Sequence, residues 1–404
     1  MCLQRHLSLI SKILLISLIA GLMSACADLM SPAIVGGKRE LIIIGIDEKQ
    51  TYTDKGVAVL SQSARDALVV MDIGTDPLKP TIVGSLPLPN TISGPPVNLA
   101  ISPDQSIALL ANSTNVVSEA GVLRQVPDNR IFVVDLTTTP PTVIDTLLVG
   151  KQPSGLSFNK AGNLVLVAQR ADNSIGVLRV DGKKVSLIDT VIIGEQVSHV
   201  AFRPDGTGAF ATKFPGHKVA VLDVKGEKVT YNKYDVVVGL WPYNMGVAPN
   251  GKIAMTADNG NAGAADGHID TISVIDIEAN PPRTIDKVVV GDGPEGFAIS
   301  PSGQLAVAVL LKGTNASKEA FFYNRNATVV ALKIDGKKVT RGNEVDVRGL
   351  PEGVVFSRDG KYVYVGNFID QDLSILRVDG DQLVNTNILI PLPGHPASIR
   401  GSLQ

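Results

Sequence analysis

The sequence predicts an all-β fold, a seven-bladed β-propeller of four-stranded antiparallel blades. Two counts and one pattern carry that expectation. A phrase of Pro, two turn-like residues, an apolar run and a Pro/Asp/Gly turn recurs at PVNLAISPDQ (96–105), PSGLSFNKAG (153–162), VSHVAFRPDG (197–206), PYNMGVAPNG (242–251), PEGFAISPSG (294–303) and PEGVVFSRDG (351–360), and begins a seventh time at PASIRGSL (396–403). A second strand signal also occurs seven times, at ALVVMDI (67–73), RIFVVDL (130–136), SIGVLRV (174–180), KVAVLDV (218–224), TISVIDI (271–277), TVVALKI (328–334) and LSILRV (373–378). These runs are almost continuously Val, Ile and Leu, the composition of a strand covered on both faces. Fixed-period repetition of such units is the mark of a radial array of blades.

Each strand has its own local reason. The apolar run after Pro-x-x forms the innermost strand, the SPDG-like turn reverses the chain, and runs such as NLVLVA (163–168) or YVYVG (362–366) form the second. The Val/Ile/Leu run is the third. An Asp/Lys-Gly turn, as in VDGKKV (180–185), or a Pro-containing link, as in TTTPPTVIDT (137–146), then leads to an outer strand. Seven third strands against six complete openings leave blade 1 without its innermost strand. PASIRGSL can fill that slot and remove two free edges at once, with LIIIGI (41–46) as the competing candidate.

Residues 1–25 read as a secretory leader: Arg5, His6 and Lys12 precede the apolar stretch ILLISLIAGLM (13–23), and small residues follow. LMSACAD (22–28) resembles the lipobox of bacterial lipoproteins, with Cys26 as the lipidated residue; cleavage at Ala25-Cys26-Ala27 is the alternative. The expected organisation is a leader over 1–25 ending at Cys26, a linker over 26–39 and one propeller domain over 40–404. Either cut removes Cys2, so the mature chain can form no internal disulfide. The expected location is the periplasmic side of the envelope, tethered to a membrane through lipid alone, as a monomer. With 37 basic against 39 acidic residues and no basic run, no dedicated nucleic-acid surface is expected. No cofactor is expected: Cys-x-x-Cys-His, a Gly-rich phosphate loop and a G-x-S-x-G elbow are all missing.

KYVYVGNF (361–368), with the SPDG-like turns, resembles the signature of the YVTN-repeat family of lactonase-like propellers, Gly366 standing where Thr is usual. The resemblance covers about 350 residues by the blade alignment. It implies the seven-bladed fold and says little of activity, because such propellers host lactonases, a muconate cycloisomerase, dehydrogenase subunits and binding proteins.

Repeat spacing shows where the chain varies. The basic unit is 44–45 residues, and three units are longer through insertions at 112–129, 258–270 and 310–326. All three fall between second and third strands, so parity in an up-and-down blade puts them on one face with the segments feeding the innermost strands. Insertions confined to one face commonly mark the binding face. That face carries Phe214, Trp241, Tyr243, Phe321, Phe322, Tyr323 and Phe368, seven of eighteen aromatic residues, with His199, His217, His268 and His395.

Candidate residues follow. Glu295 and Glu352 occupy the same register in adjacent blades and could form a carboxylate pair, with His199, for proton transfer; solvated turn carboxylates are the competing reading. Arg170 or Lys213 could hold an anion. Trp241, Tyr243, Phe321, Phe322, Tyr323, Arg325 and His395 are the candidates for ligand or partner contact, since aromatic and Arg clusters dominate interface energies. No metal site is expected, as the histidines lack ligand spacing and Asp258, Asp266 and Asp270 lack the calcium-loop register. The leading expectation is a module binding a small molecule or an envelope protein. Its alternatives are a lactonase- or cycloisomerase-type enzyme at the channel mouth, or an accessory subunit of an exported dehydrogenase.

Overall fold

Seven four-stranded antiparallel sheets form the ring, as the repeat count requires. The computed structural model describes residues 39–62, 65–261 and 264–402. The segment expected to be a leader, Cys26 and the expected linker as far as residue 38 lie outside the described residues. Blade 3 shows the plan: from the centre outward it stacks Pro153–Phe158, Leu164–Gln169, Ser174–Asp181 and Lys184–Ile192. Helix among the described residues is confined to the 3-10 turns Arg170–Asp172 and Phe214–Gly216.

Blade 1 settles the question of closure. Its order from the centre is Pro396–Gly401, Leu41–Ile46, Ala67–Asp72 and Thr81–Leu86. The C-terminal segment is therefore the innermost strand, and Leu41–Ile46, the rival for that slot, is the second. Register runs from Ile42 opposite Gly401 to Ile46 opposite Pro396.

The packing explains the composition of the inner three strands. Buried side chains fall into seven apolar clusters, each built from two neighbouring blades; one joins Leu166 and Ile175 of blade 3 to Phe202 and Ala220 of blade 4. A strand sandwiched in this way has no solvent face, so it cannot alternate polar with apolar. The outermost strands alternate, as over Lys184–Ile192.

The three enlarged connections lie on one rim, and a fourth joins them. Residues 47–66, between the second and third strands of blade 1, carry a two-stranded hairpin, Gln50–Tyr52 with Ala58–Leu60. It meets the blade 6 insertion through the Lys55–Ser317 bridge and the Lys318–Asp54 ion pair at 2.8 Å. Gln125 of blade 2 donates to Gln50 at 2.8 Å. The blade 5 insertion reaches the blade 6 insertion where Gly267 abuts Phe321 and Phe322.

Candidate active site

The site begins as a local irregularity of the innermost strands. In blades 3, 6 and 7 the pairing with the second strand shifts register just after the leading proline, between Pro153 and Leu156, Pro294 and Phe297, and Pro351 and Val354. Bulges of this kind re-aim side chains out of the regular ladder. Each contains a polar residue followed by glycine: Ser154-Gly155, Glu295-Gly296 and Glu352-Gly353. The glycines are sterically required. A Cβ on Gly296 would stand 2.1 Å from the carbonyl oxygen of Glu352, and one on Gly353 would stand 2.3 Å from the amide nitrogen of Ile399. Innermost strands therefore crowd together, and the two glutamates of adjacent blades become electrostatic neighbours.

That pair is buried: Glu295 is 6% and Glu352 2% exposed. Burial pushes the Glu295 carboxyl up to about 8, against the pull of the Arg170 charge. Burial and the neighbouring Glu295 hold Glu352 well above the carboxylate range. One carboxylate disfavours ionisation of the other, as in any close acidic pair. Glu352 Oε2, Ser154 Oγ and Arg170 Nε are all buried without a hydrogen-bond partner among the described residues.

Arg170 starts the 3-10 turn after the second strand of blade 3. Its Nη1 donates to the Tyr243 hydroxyl at 3.3 Å. The guanidinium carbon lies 4.9 Å from the Phe214 ring centroid and 5.5 Å from that of Tyr243. Trp241 packs edge-on against Phe214 at 5.0 Å. Gly94 closes the wall, where a Cβ would be 3.1 Å from Arg170 Nη1 and 3.2 Å from Ser154 Oγ.

A cap covers the mouth. Ile92, Ala265, Leu311, Leu350, Phe368 and Ala397 form an eighth apolar cluster, with Tyr52 of the blade 1 hairpin packed on it. Tyr52 meets Phe368 edge-to-face at 6.5 Å, and its hydroxyl is raised above the usual range by burial and by the nearby Glu352 and Glu295. The cap's feet are held by a buried ionic cluster: Lys49 Nζ donates to Asp66 and to the Asn90 carbonyl, while Asp47 accepts from the Ile92 amide at 2.7 Å. The hairpin itself has only three residues per strand, too few to be stable without that anchorage.

The remaining expected residues are placed as follows. His199 is buried beside Arg400, with Arg400 Nη2 at 2.9 Å from its Nε2; its ring is kept neutral by burial and by that charge, and its partners are Arg400, Asn244 and Met245, not a carboxylate. Lys213 turns to the outer strand of its own blade, bonding Asp235 at 2.7 Å and Glu195 at 3.0 Å. The Trp241 amide donates to His217 Nδ1 at 3.0 Å. His395 stacks on Phe368 with centroids 4.8 Å apart. In the blade 6 insertion, Arg325 is engaged by Asp370 at 2.5 Å, Phe322 packs on Gly313, and Phe321 stays 89% exposed; Tyr323 is half-buried. Asp258, Asp266 and Asp270 are each engaged separately: Asp258 accepts from Ser273 of the third strand, Asp266 from the His268 amide within the insertion and Asp270 from the Gly293 amide in the link to blade 6. Among the described residues no group of three His, Cys, Asp or Glu side chains is arranged to hold a metal.

Sequence reasoning missed Tyr52 and Arg400. Tyr52 precedes the first complete repeat, so spacing offered no yardstick for its connection. Arg400 had a signal: the equivalent place in the other six openings holds Ala100, Ser157, Ala201, Gly246, Ala298 or Val355, all small or apolar.

No protein-family model matches the chain, and no curated protein does. Solved structures are similar over most of its length. A 6-phosphogluconolactonase candidate from Bacteroides uniformis superposes with a TM-score of 0.69 at 14% identity, covering 90% of this chain and 99% of its own. The periplasmic gluconolactonase of Pseudomonas aeruginosa gives 0.63 at 18% identity, with 90% and 99% covered. Hydrazine synthase of Kuenenia stuttgartiensis gives 0.58 at 18% identity, with 77% and 90% covered. At such identities these likenesses establish the architecture, a seven-bladed propeller with lactonase-like structural neighbours.

Proposed function

We propose that the capped channel mouth is an acid/base site acting on small lactones, in the manner of a lactone hydrolase. The carrying observation is the buried Glu295/Glu352 pair beside Arg170. Two carboxyls that titrate at different, raised values can divide the two tasks of the reaction. In hydrolysis, Glu295, once ionised, takes a proton from the attacking water as its oxygen bonds to the lactone carbonyl carbon. Glu352, still protonated, gives a proton to the ring oxygen as the ring C–O bond breaks. Water and lactone become one hydroxy acid. Arg170 and the Tyr243 hydroxyl it contacts stabilise the oxyanion formed between the two steps. Substrate reaches the pair when the hairpin over residues 50–60 lifts; when closed, it excludes water.

The names of the gluconolactonase-type neighbours support this reading, as does the YVTN-like stretch at 361–368. With residues 1–25 read as a leader, the enzyme works outside the cytoplasm. A partner-binding role finds support at the exposed Phe321, since Arg325 is held by Asp370 of blade 7 and Phe322 packs against Gly313 and Gly267. The test is a panel of five- and six-membered lactones assayed by proton release with wild-type protein, Glu352→Gln and Glu295→Gln. The reading requires a lactone turned over by the wild type and slowed at least about a hundredfold in either variant, the usual share of one general acid or base. Equal rates in wild type and variants, or no turnover of any lactone, would refute it.

A further inference from the structure

Tyr52 is held over the acid pair more firmly than a cover needs. Its ring rests on the cap cluster that includes Leu311, Leu350, Phe368 and Ala397. Leu350 stands two residues before Glu352, and Ala397 takes in blade 1 the register that Glu295 and Glu352 take in blades 6 and 7. The hydrogen bonds around its hydroxyl run one way. Ser93 Oγ donates to Gln125 Oε1, Gln125 Nε2 to Gln50 Oε1, and Gln50 Nε2 to the Tyr52 oxygen, each at 2.8 Å. The Asn315 amide is a second donor to that oxygen. The blade 1 hairpin, the blade 2 insertion and the blade 6 insertion therefore converge on one phenol. A phenol that accepts still has its own proton to give, and among the described residues none accepts it. Burial first, then the charges of Glu352 and Glu295, raise the hydroxyl above its usual range, so it keeps that proton. It is a donor and not a base.

We propose that Tyr52 is a catalytic residue carried by the cap: with the hairpin closed, its hydroxyl donates a hydrogen bond to the carbonyl oxygen of the bound lactone, beside Arg170 and Tyr243. The proposal rests on the lactone reading of the site and makes the cap part of the machinery. No proton changes hands at Tyr52; its hydrogen bond strengthens as the carbonyl oxygen gains charge, which is how an oxyanion donor lowers a barrier. Lifting the hairpin withdraws the donor as it admits water, so ring opening is confined to the closed state. Gln50 and Gln125 act here as positioning residues, through Tyr52.

Tyr52→Phe tests it in the full chain, because it leaves the ring on Phe368 and removes only the hydroxyl. On the lactone that the wild type turns over best, kcat is expected to fall about a hundredfold, the share of one oxyanion donor, with KM changed less than about threefold. The inflections of the pH–rate profile are expected to stay where the wild type has them, since a neutral phenol puts no charge on Glu295 or Glu352. A wild type active on a lactone with an equally active Tyr52→Phe variant would overturn this proposal and leave the lactone reading standing. A loss confined to KM, or a displaced inflection, would also overturn it, the first making Tyr52 a cover and the second a modulator of the acid pair. A wild type inactive on every lactone would overturn both readings together.

Discussion

Replacing both mouth glutamates, as Glu295→Gln with Glu352→Gln, isolates what their burial does to stability. Gln keeps the shape and removes the ionisation. A carboxyl whose folded value is raised holds a proton that the unfolded chain has already released. Its contribution is therefore fully present below the unfolded value of 4.5 and drains as pH climbs toward about 8 for Glu295. The slope is about 1.4 kcal/mol per pH unit, so Glu295 alone accounts for a ceiling on the order of 5 kcal/mol, with Glu352 adding in the same direction. It is a ceiling because lifting the hairpin at residues 50–60 lets water reach the pair. Asp47 and Asp258, each pushed up to about 6 chiefly by burial, produce a fall of the same sign lower in the range. The diagnostic quantity is consequently the difference between proteins. Urea midpoints measured from pH 5 to pH 9 should fall steeply for the wild type and much less for the double variant, which becomes the more stable protein by several kcal/mol at the alkaline end. Parallel curves would mean that the pair is solvated in the folded state, and the proton-holding site would not exist.

Further outcomes follow from the same geometry. Arg170→Gln removes the charge that pulls against burial at Glu295, so Glu295 should titrate above about 8; carbon-13 NMR of labelled carboxyls reads the change, and a downward move would contradict the assignment. Lys49→Met leaves Asp66 and Asp47 buried without their cation and should cost about 3–5 kcal/mol at pH 8. The loss should be smaller at pH 5, where Asp47 already carries its proton, and equal losses at both values would count against the cluster. Ile399→Ala, on the strand that closes the ring, empties a site packed by Ile42, Ile44 and Val355 and should cost about 2–5 kcal/mol in denaturant unfolding. A loss under about 0.5 kcal/mol, the scale of an exposed surface change, would mean the C-terminal strand is not needed for closure.

The blade plan was legible because propeller units are local. Each strand pairs with the next in sequence, so turn chemistry and apolar runs repeat at a spacing that can be counted. The register of Glu295 with Glu352, and the shared rim of the insertions at 112–129, 258–270 and 310–326, follow from that count and from strand parity. Residues 41–66 lay outside the count, having no preceding repeat to align with. Their role as second strand and cap depends on the C-terminal segment arriving about 350 residues later in the chain, as the Ile44 and Ile399 pairing shows.

Sequence alone determined the number of blades, the layers within each and the residue types that stand at each level of the channel, because backbone pairing and burial on two faces constrain every repeat alike. Only the tertiary structure decided which of those residues meet. Closing the ring sets Arg400 against His199 from a different blade, swings Tyr52 over the glutamates and sends Lys213 outward to Asp235. Such encounters depend on distances across an axis that belongs to no single repeat, and on burial that exists only once seven blades have packed.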